Sequence, residues 1–239
     1  VSDGVLPVPD DGPTAPSLAA APWREARCLR EPWRRWRARR RLAALGAGDG
    51  APVLVLPGMH VGDWSTRALR RCLAAHGFAA RGWGLGCHRA DVAATLPRAL
   101  ARLEEVAAES GRAVALVGWS LGGVIARELA RLRPDLVKRV ITLGTPVVGG
   151  PRYTAVAYAY RSRGLAEIER LVEAAGRVPI RVPVTAVWSR RDGIVAWRAC
   201  VDETTPGAEN VEVGSSHWGL GLDPDVLALV LERLLGAVR

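Results

Sequence analysis

The chain has 239 residues, 49% of them hydrophobic, which fits one globular domain with a sizeable core and leaves a second full domain cramped. No uninterrupted apolar run approaches the roughly 20 residues of a spanning helix, so no segment reads as one. The formal charge of +9 invites an anionic partner, but residues 23–41 alone carry +7 and residues 1–22 carry −3, which leaves +5 on the body and argues against an extended nucleic-acid surface.

Residues 1–22 are rich in Pro, Ala, Gly and Asp, offer little to bury, and read as a mobile lead-in. They hold Asp3, Asp10 and Asp11 and lack a basic-then-apolar signal pattern, so export is not indicated and a cytoplasmic location is expected. Residues 23–45 form a basic helical segment with Leu29, Trp33 and Trp36 on one stripe. Three readings stand for it: a helix docked on the domain with a solvated Arg face, peripheral contact of residues 23–41 with anionic lipid, and nucleic-acid binding. The last is the weakest, since the body shows no recognition module.

Gly46–Gly50 breaks that helix, and strands then alternate with helices. Val53–Leu56 reads as a strand, and Trp64–His76 as a helix capped by Asp63 or Ser65. Phe78–Gly84 reads as a second strand. Asp91–Ser110 is an amphipathic helix with Val92, Leu96, Leu100 and Leu103 inward, and Pro97 places its regular start near Thr95. Ala113–Val117 is a short continuous apolar run, as in a strand buried on both faces. The helix after it repeats Ile125, Leu129 and Leu132 and stops at Pro134. Strands follow at Val140–Leu143, Val184–Trp188 and Val211–Val213, with a short helix near Val195 and a closing helix over about 224–235. The alternation predicts an α/β fold with a mainly parallel central sheet covered by helices on both faces.

Between the Ala113 strand and its helix stands Gly118-Trp119-Ser120-Leu121-Gly122. A serine there sits on a sharp strand-to-helix turn with its hydroxyl raised into a cleft, and flanking glycines spare the turn from collisions. Ligand sites in such sheets lie beyond the carboxyl ends of the strands. Asp192 follows the strand ending at Trp188, and His217 follows the one ending at Val213. Ser120, Asp192 and His217 thus appear in the order of a nucleophile, an acid and a base. The serine hydroxyl needs an imidazole to take its proton. The carboxylate fixes the imidazole's tautomer and stabilises the imidazolium. An oxyanion hole would use Leu121 N–H at the helix start and Met59 N–H in the loop Leu56–His60, where Gly58 turns the backbone toward the site. Asp202 and Glu203 are rival acids in or after a later helix. His60, His76 and His88 are rival bases that precede the serine and break the order, although His60 can still line the mouth. The four cysteines, Cys28, Cys72, Cys87 and Cys200, are scattered without C-x-x-C spacing and read as buried free thiols, with no metal site.

These motifs carry a resemblance. Leu-Pro-Gly-Met at 56–59, Gly-Trp-Ser-Leu-Gly-Gly at 118–123, Leu-Gly-Thr-Pro at 143–146, Ser-Arg-Arg-Asp-Gly at 189–193 and Ser-Ser-His-Trp-Gly at 215–219 resemble a bacterial α/β-hydrolase of the serine esterase/lipase type over residues 51–239. The resemblance implies the α/β-hydrolase fold with a small cap, inserted after the sixth core strand. Pro57-Gly58 stands where many lipases have His-Gly, and Val147 where many have His. Both departures spare the backbone donors but weaken assignment as a true triacylglycerol lipase.

The cap is expected at about 147–182, a stretch too long for an ordinary loop. It holds Tyr153, Tyr158 and Tyr160, which either line an apolar acyl pocket or pack the cap on the body. The function implied is cleavage of a small-molecule or lipid carboxylic ester without a cofactor, through an acyl-enzyme on Ser120. An acyltransferase would use the same triad. A non-catalytic binding protein on this fold is the reading from another class.

Overall fold

The computed structural model describes residues 14, 16, 40–42, 44–89, 91–155 and 178–236. Six strands form one sheet: β1 (Pro52–Leu56), β2 (Ala79–Gly82), β3 (Val114–Trp119), β4 (Val137–Leu143), β5 (Val184–Trp188) and β6 (Glu209–Glu212). Their order is β2-β1-β3-β4-β5-β6, and every pairing is parallel. Helices α1 (Arg67–Ala75), α2 (Val92–Ser110), α3 (Leu121–Leu132) and α4 (Pro224–Leu234) cover the faces of the sheet.

The continuous apolar runs reflect a sheet buried on both faces. Side chains alternate across a strand, so Val53 and Val55 join the cluster under α1 and α4, with Val117, Trp119 and Val230. Leu54 and Leu56 join the opposite cluster under α2 and α3, with Leu103, Leu116 and Ile125. Burying one such side chain contributes about 1.5–3 kcal/mol, so these two layers dominate the stability of the fold.

Several elements differ from what the sequence pattern predicts. α1 begins at Arg67, after Thr66 and without a side-chain cap. Asp63 instead accepts hydrogen bonds from Trp83 N and Gly84 N, both at 3.0 Å, and the Ser65 hydroxyl donates to Gly62 O. α2 starts at Val92 because the Asp91 side chain caps Ala94 N at 2.9 Å, and the helix runs through Pro97. Its buried stripe is Val92, Thr95, Ala99, Leu103 and Val106, while Leu96 and Leu100 are only partly buried. Leu132 is 52% exposed, because the last turn of α3 passes the edge of the core. In place of the short helix near Val195 there is a 3-10 turn at Trp197–Cys200. Of the thiols expected to be buried, Cys200 is, but Cys72 is half-buried and Cys87 exposed, and Cys28 lies outside the described residues.

The segment expected as a cap follows the fourth strand of this sheet rather than the sixth, because the described chain enters the sheet only at Pro52. Within it, residues 156–177 lie outside the described residues, as do nearly all of residues 1–39. The end of the basic segment is visible. Residues 40–42 are helical, Leu42 and Leu45 pack on the core, and Arg41 makes a bidentate pair with Glu232 of α4 at 2.7 and 2.6 Å. Among the described residues no helix is long and apolar enough to cross a membrane.

Candidate active site

Neighbouring β1 and β3 mark the point where the chain reverses its direction across the sheet, and the crevice beyond their carboxyl ends is where open α/β sheets hold ligands. Ser120 stands there, directly after β3, with φ 54° and ψ −123°. A non-glycine residue at positive φ is strained and needs its surroundings to hold it. Ser120 N–H donates to Leu143 O at 2.8 Å. Its carbonyl accepts from Gly123 N at 2.9 Å and from the Thr145 hydroxyl at 2.9 Å. The flanking glycines serve close approach. A Cβ on Gly118 would fall on Gly123 and Gly122 backbone, and one on Gly122 would fall on Leu56 O and Pro57 O.

His217 and Asp192 are joined. His217 Nδ1 lies 2.7 Å from Asp192 Oδ2, with both residues buried. A carboxylate only accepts, so the imidazole donates from Nδ1, and in the neutral ring Nε2 is then the acceptor. The other oxygen, Asp192 Oδ1, accepts from Ile194 N at 2.8 Å and Val195 N at 2.7 Å. A carboxylate held by that turn has little freedom to rotate away from the imidazole. Gly144 closes the pair on one side: at φ +56°, its missing Cβ would stand 3.0 Å from His217 Nδ1 and 3.1 Å from Asp192 Oδ2.

The two halves meet through Trp119, and Gly58 brings a third element to the serine. Trp119 Nε1 donates to His217 O at 3.2 Å, one residue before Ser120. A Cβ on Gly58 would lie 3.4 Å from Ser120 Cβ, which brings the loop after β1 against the serine. Met59 in that loop is half-buried, and Leu121 is the first residue of α3, whose N–H has no acceptor within the helix.

The other expected residues divide. His60 is exposed, with φ 57°, and its N–H donates to His88 O at 2.8 Å. Tyr153 is half-buried in a 3-10 turn (Gly150–Tyr153), its ring against Gly149, and its carbonyl accepts from Ala196 N at 2.9 Å. That turn is laced to the loop that follows Asp192, also through a Thr154–Val195 bridge. Tyr158 and Tyr160 lie outside the described residues.

The rivals have other work. His88 is buried against Trp83 at 4.9 Å, and burial, with the charge of His60 nearby, lowers its pKa to about 4. His76 faces Cys72 O at 2.8 Å and Leu42 O at 3.1 Å. Asp202 forms a buried ion pair with Arg127 of α3. Burial pushes its carboxyl up, but Arg127 and the Thr205 hydrogen bonds outweigh that and hold it at about 2. Asp202 therefore ties α3 to the β5–β6 connection, and the sequence could not show it because the partners are 75 residues apart.

A family model described as the alpha/beta hydrolase fold matches residues 73–170, a span that includes Ser120 and its turn. No curated protein matches the sequence. Among solved structures the chain is similar to a Bacillus licheniformis lipase, at 17% identity over 80% of this chain and 94% of that one, with a TM-score of 0.62. It is similar to a Paleococcus ferrophilus monoacylglycerol lipase at 16%, over 80% and 96%, with a TM-score of 0.60. A thioesterase domain from the curacin biosynthetic pathway matches at 17%, over 80% and 93%, with a TM-score of 0.55. The chain has the α/β-hydrolase fold.

Proposed function

We propose that this protein is a serine hydrolase of carboxylic esters, with Ser120 as nucleophile, His217 as general base and acid, and Asp192 as the carboxylate that orients His217. The observation that carries the reading is the buried His217–Asp192 bond at 2.7 Å, tied through the Trp119 indole to the turn that holds Ser120 at φ 54°. Each residue answers one requirement of acyl transfer at neutral pH.

Ser120 Oγ attacks the acyl carbon as its proton passes to His217 Nε2. The imidazolium so formed is stabilised by Asp192. Charge develops on the acyl oxygen and is met by Leu121 N–H, at the positive end of α3, and by Met59 N–H. The tetrahedral species then collapses. The imidazolium protonates the departing alkoxide, and the acyl group remains on Ser120. Water attacks the acyl-enzyme, gives its proton to His217, and the released carboxylic acid leaves Ser120 protonated again. No step requires a redox change.

The ester enters from the carboxyl end of the sheet, beside Tyr153 and His60. Tyr158 and Tyr160 belong to the same proposal as walls of an acyl pocket, read from the sequence alone. Hydrolysis of p-nitrophenyl esters of increasing acyl length tests both layers. A Ser120→Ala protein with undiminished hydrolysis overturns the mechanism. Unchanged chain-length preference in a folded Tyr158→Ala, Tyr160→Ala double variant removes the pocket while leaving the mechanism intact.

A further inference from the structure

Trp119 stands between Gly118 and Ser120, and no chemical step above uses it. Its indole is buried at 4% exposure. The Nε1–H donates to His217 O at 3.2 Å, and the ring lies 5.8 Å from the imidazole, tilted by 36°. Trp218 meets it edge-on at 5.3 Å. On another side lies Gly58, whose missing Cβ would stand 3.9 Å from Trp119 Cδ2. One side chain therefore touches the loop after β1 and the backbone of His217, and is bonded through its own main chain to Ser120.

We propose that Trp119 is a positioning residue whose indole N–H fixes the backbone of His217, and so aims the imidazole at both Asp192 and Ser120. The inference rests on the hydrolase reading for its kinetic consequences but not for its structural one. An imidazole pinned at Nδ1 can still swing as its main chain shifts. His217 O also accepts a long local bond from Leu220 N, at 3.3 Å. The indole bond is the tie that reaches across 98 residues to the nucleophile's turn. An apolar ring at position 119 would fill the same core space against Leu143 and Leu220 but would donate nothing.

Two variants separate this role from packing. Trp119→Phe keeps an apolar ring and removes the donor. Trp119→His is worse packing but carries Nε2–H at the ring position of the lost indole N–H. A purely structural role ranks Phe above His, whereas the positioning role ranks His above Phe.

In Trp119→Phe, kcat at pH 8 should fall roughly 2- to 10-fold, the worth of one neutral hydrogen bond, with KM unchanged. Trp119→His should recover most of that loss. The acid limb of kcat/KM should move to lower pH in the Phe variant. Asp192 faces the imidazole, with the Cys200 thiol close to Asp192 and uncharged Trp119 alongside the ring. A looser Asp192 contact costs the imidazolium more than the neutral ring, so the proton leaves sooner. Loss of folded protein lowers the amplitude of that profile without moving its limb.

The readout free of activity is the downfield proton resonance of His217 Nδ1–H, assigned by its disappearance in His217→Gln. It should move upfield and exchange faster in Trp119→Phe and return toward its original position in Trp119→His. An unchanged resonance in the Phe variant, or a His variant more perturbed than Phe, overturns the proposal. A wild-type protein that hydrolyses no ester removes the hydrolase reading instead, and the resonance still decides the role of Trp119.

Discussion

Gly144→Ala puts one methyl group against the centre of the site. The residue follows β4 at φ +56°, where a non-glycine residue costs about 1–2 kcal/mol. The new carbon would stand 2.6 Å from Leu220 Cδ1, 3.0 Å from His217 Nδ1 and 3.1 Å from Asp192 Oδ2, all inside the ordinary contact distance of about 3.5–4.0 Å. Leu220 can turn its methyl away. The hydrogen-bonded pair has less freedom, since the turn at Ile194 and Val195 holds Asp192. Overpacking of this kind costs about 1–3 kcal/mol, so the variant should lose roughly 2–5 kcal/mol in urea unfolding. A displacement of about 1 Å at a reacting group costs on the order of 100-fold, and the shift needed here is about half that, so kcat/KM should fall on the order of 10-fold. The assay is p-nitrophenyl butyrate hydrolysis per folded molecule, with near-UV circular dichroism as the measure of folding. A folded Gly144→Ala with wild-type kcat/KM would refute the placement of the His217–Asp192 pair in the chemistry.

The remaining expectations concern the frame. Asp202→Ala leaves Arg127 buried without its carboxylate and should cost about 3–5 kcal/mol by urea unfolding, whereas Arg127→Met with Asp202→Leu should recover most of it. The Asp202 carboxyl sits below its usual range when folded, so its contribution is complete above about pH 4 and is lost as pH falls through about 2; Asp202→Asn should flatten that part of the stability–pH curve. Arg41→Ala removes the bidentate partner of nearly buried Glu232, beside which Arg233 stands at 3.7 Å, and should cost about 1–3 kcal/mol. Gly122→Ala drives a methyl into the carbonyls of Leu56 and Pro57, which cannot move aside, and should yield no soluble folded protein.

Much of the frame is legible along the chain because it obeys local periodicity. Val184–Trp188 reads as a strand with its observed limits, and Val53–Leu56 falls one residue short of the observed β1. β6 reads two residues late, as Val211–Val213, because an edge strand replaces the apolar run with Glu209 and Glu212. Their partners are distant: Glu209 meets Arg233 at 2.5 Å and Glu212 meets Arg190 at 3.1 Å. The same limit applies at the site. Ser120, Asp192 and His217 can be picked out because each follows a strand end. Gly144, Thr145 and Trp119 act across the fold, and spacing along the chain does not reveal what they face. Asp63 shows a related limit: local sequence offers it a helix to cap, but two backbone N–H groups 20 and 21 residues away bind it instead.

The central claim is that Ser120 is the group that takes the acyl chain. Its most direct test is reaction of the wild-type protein with a fluorophosphonate, followed by peptide mapping of the adduct. The expected result is one adduct per chain, on Ser120, lost in Ser120→Ala and strongly slowed in folded His217→Gln. A folded wild-type protein that takes no label, or takes it on another residue, would contradict the claim.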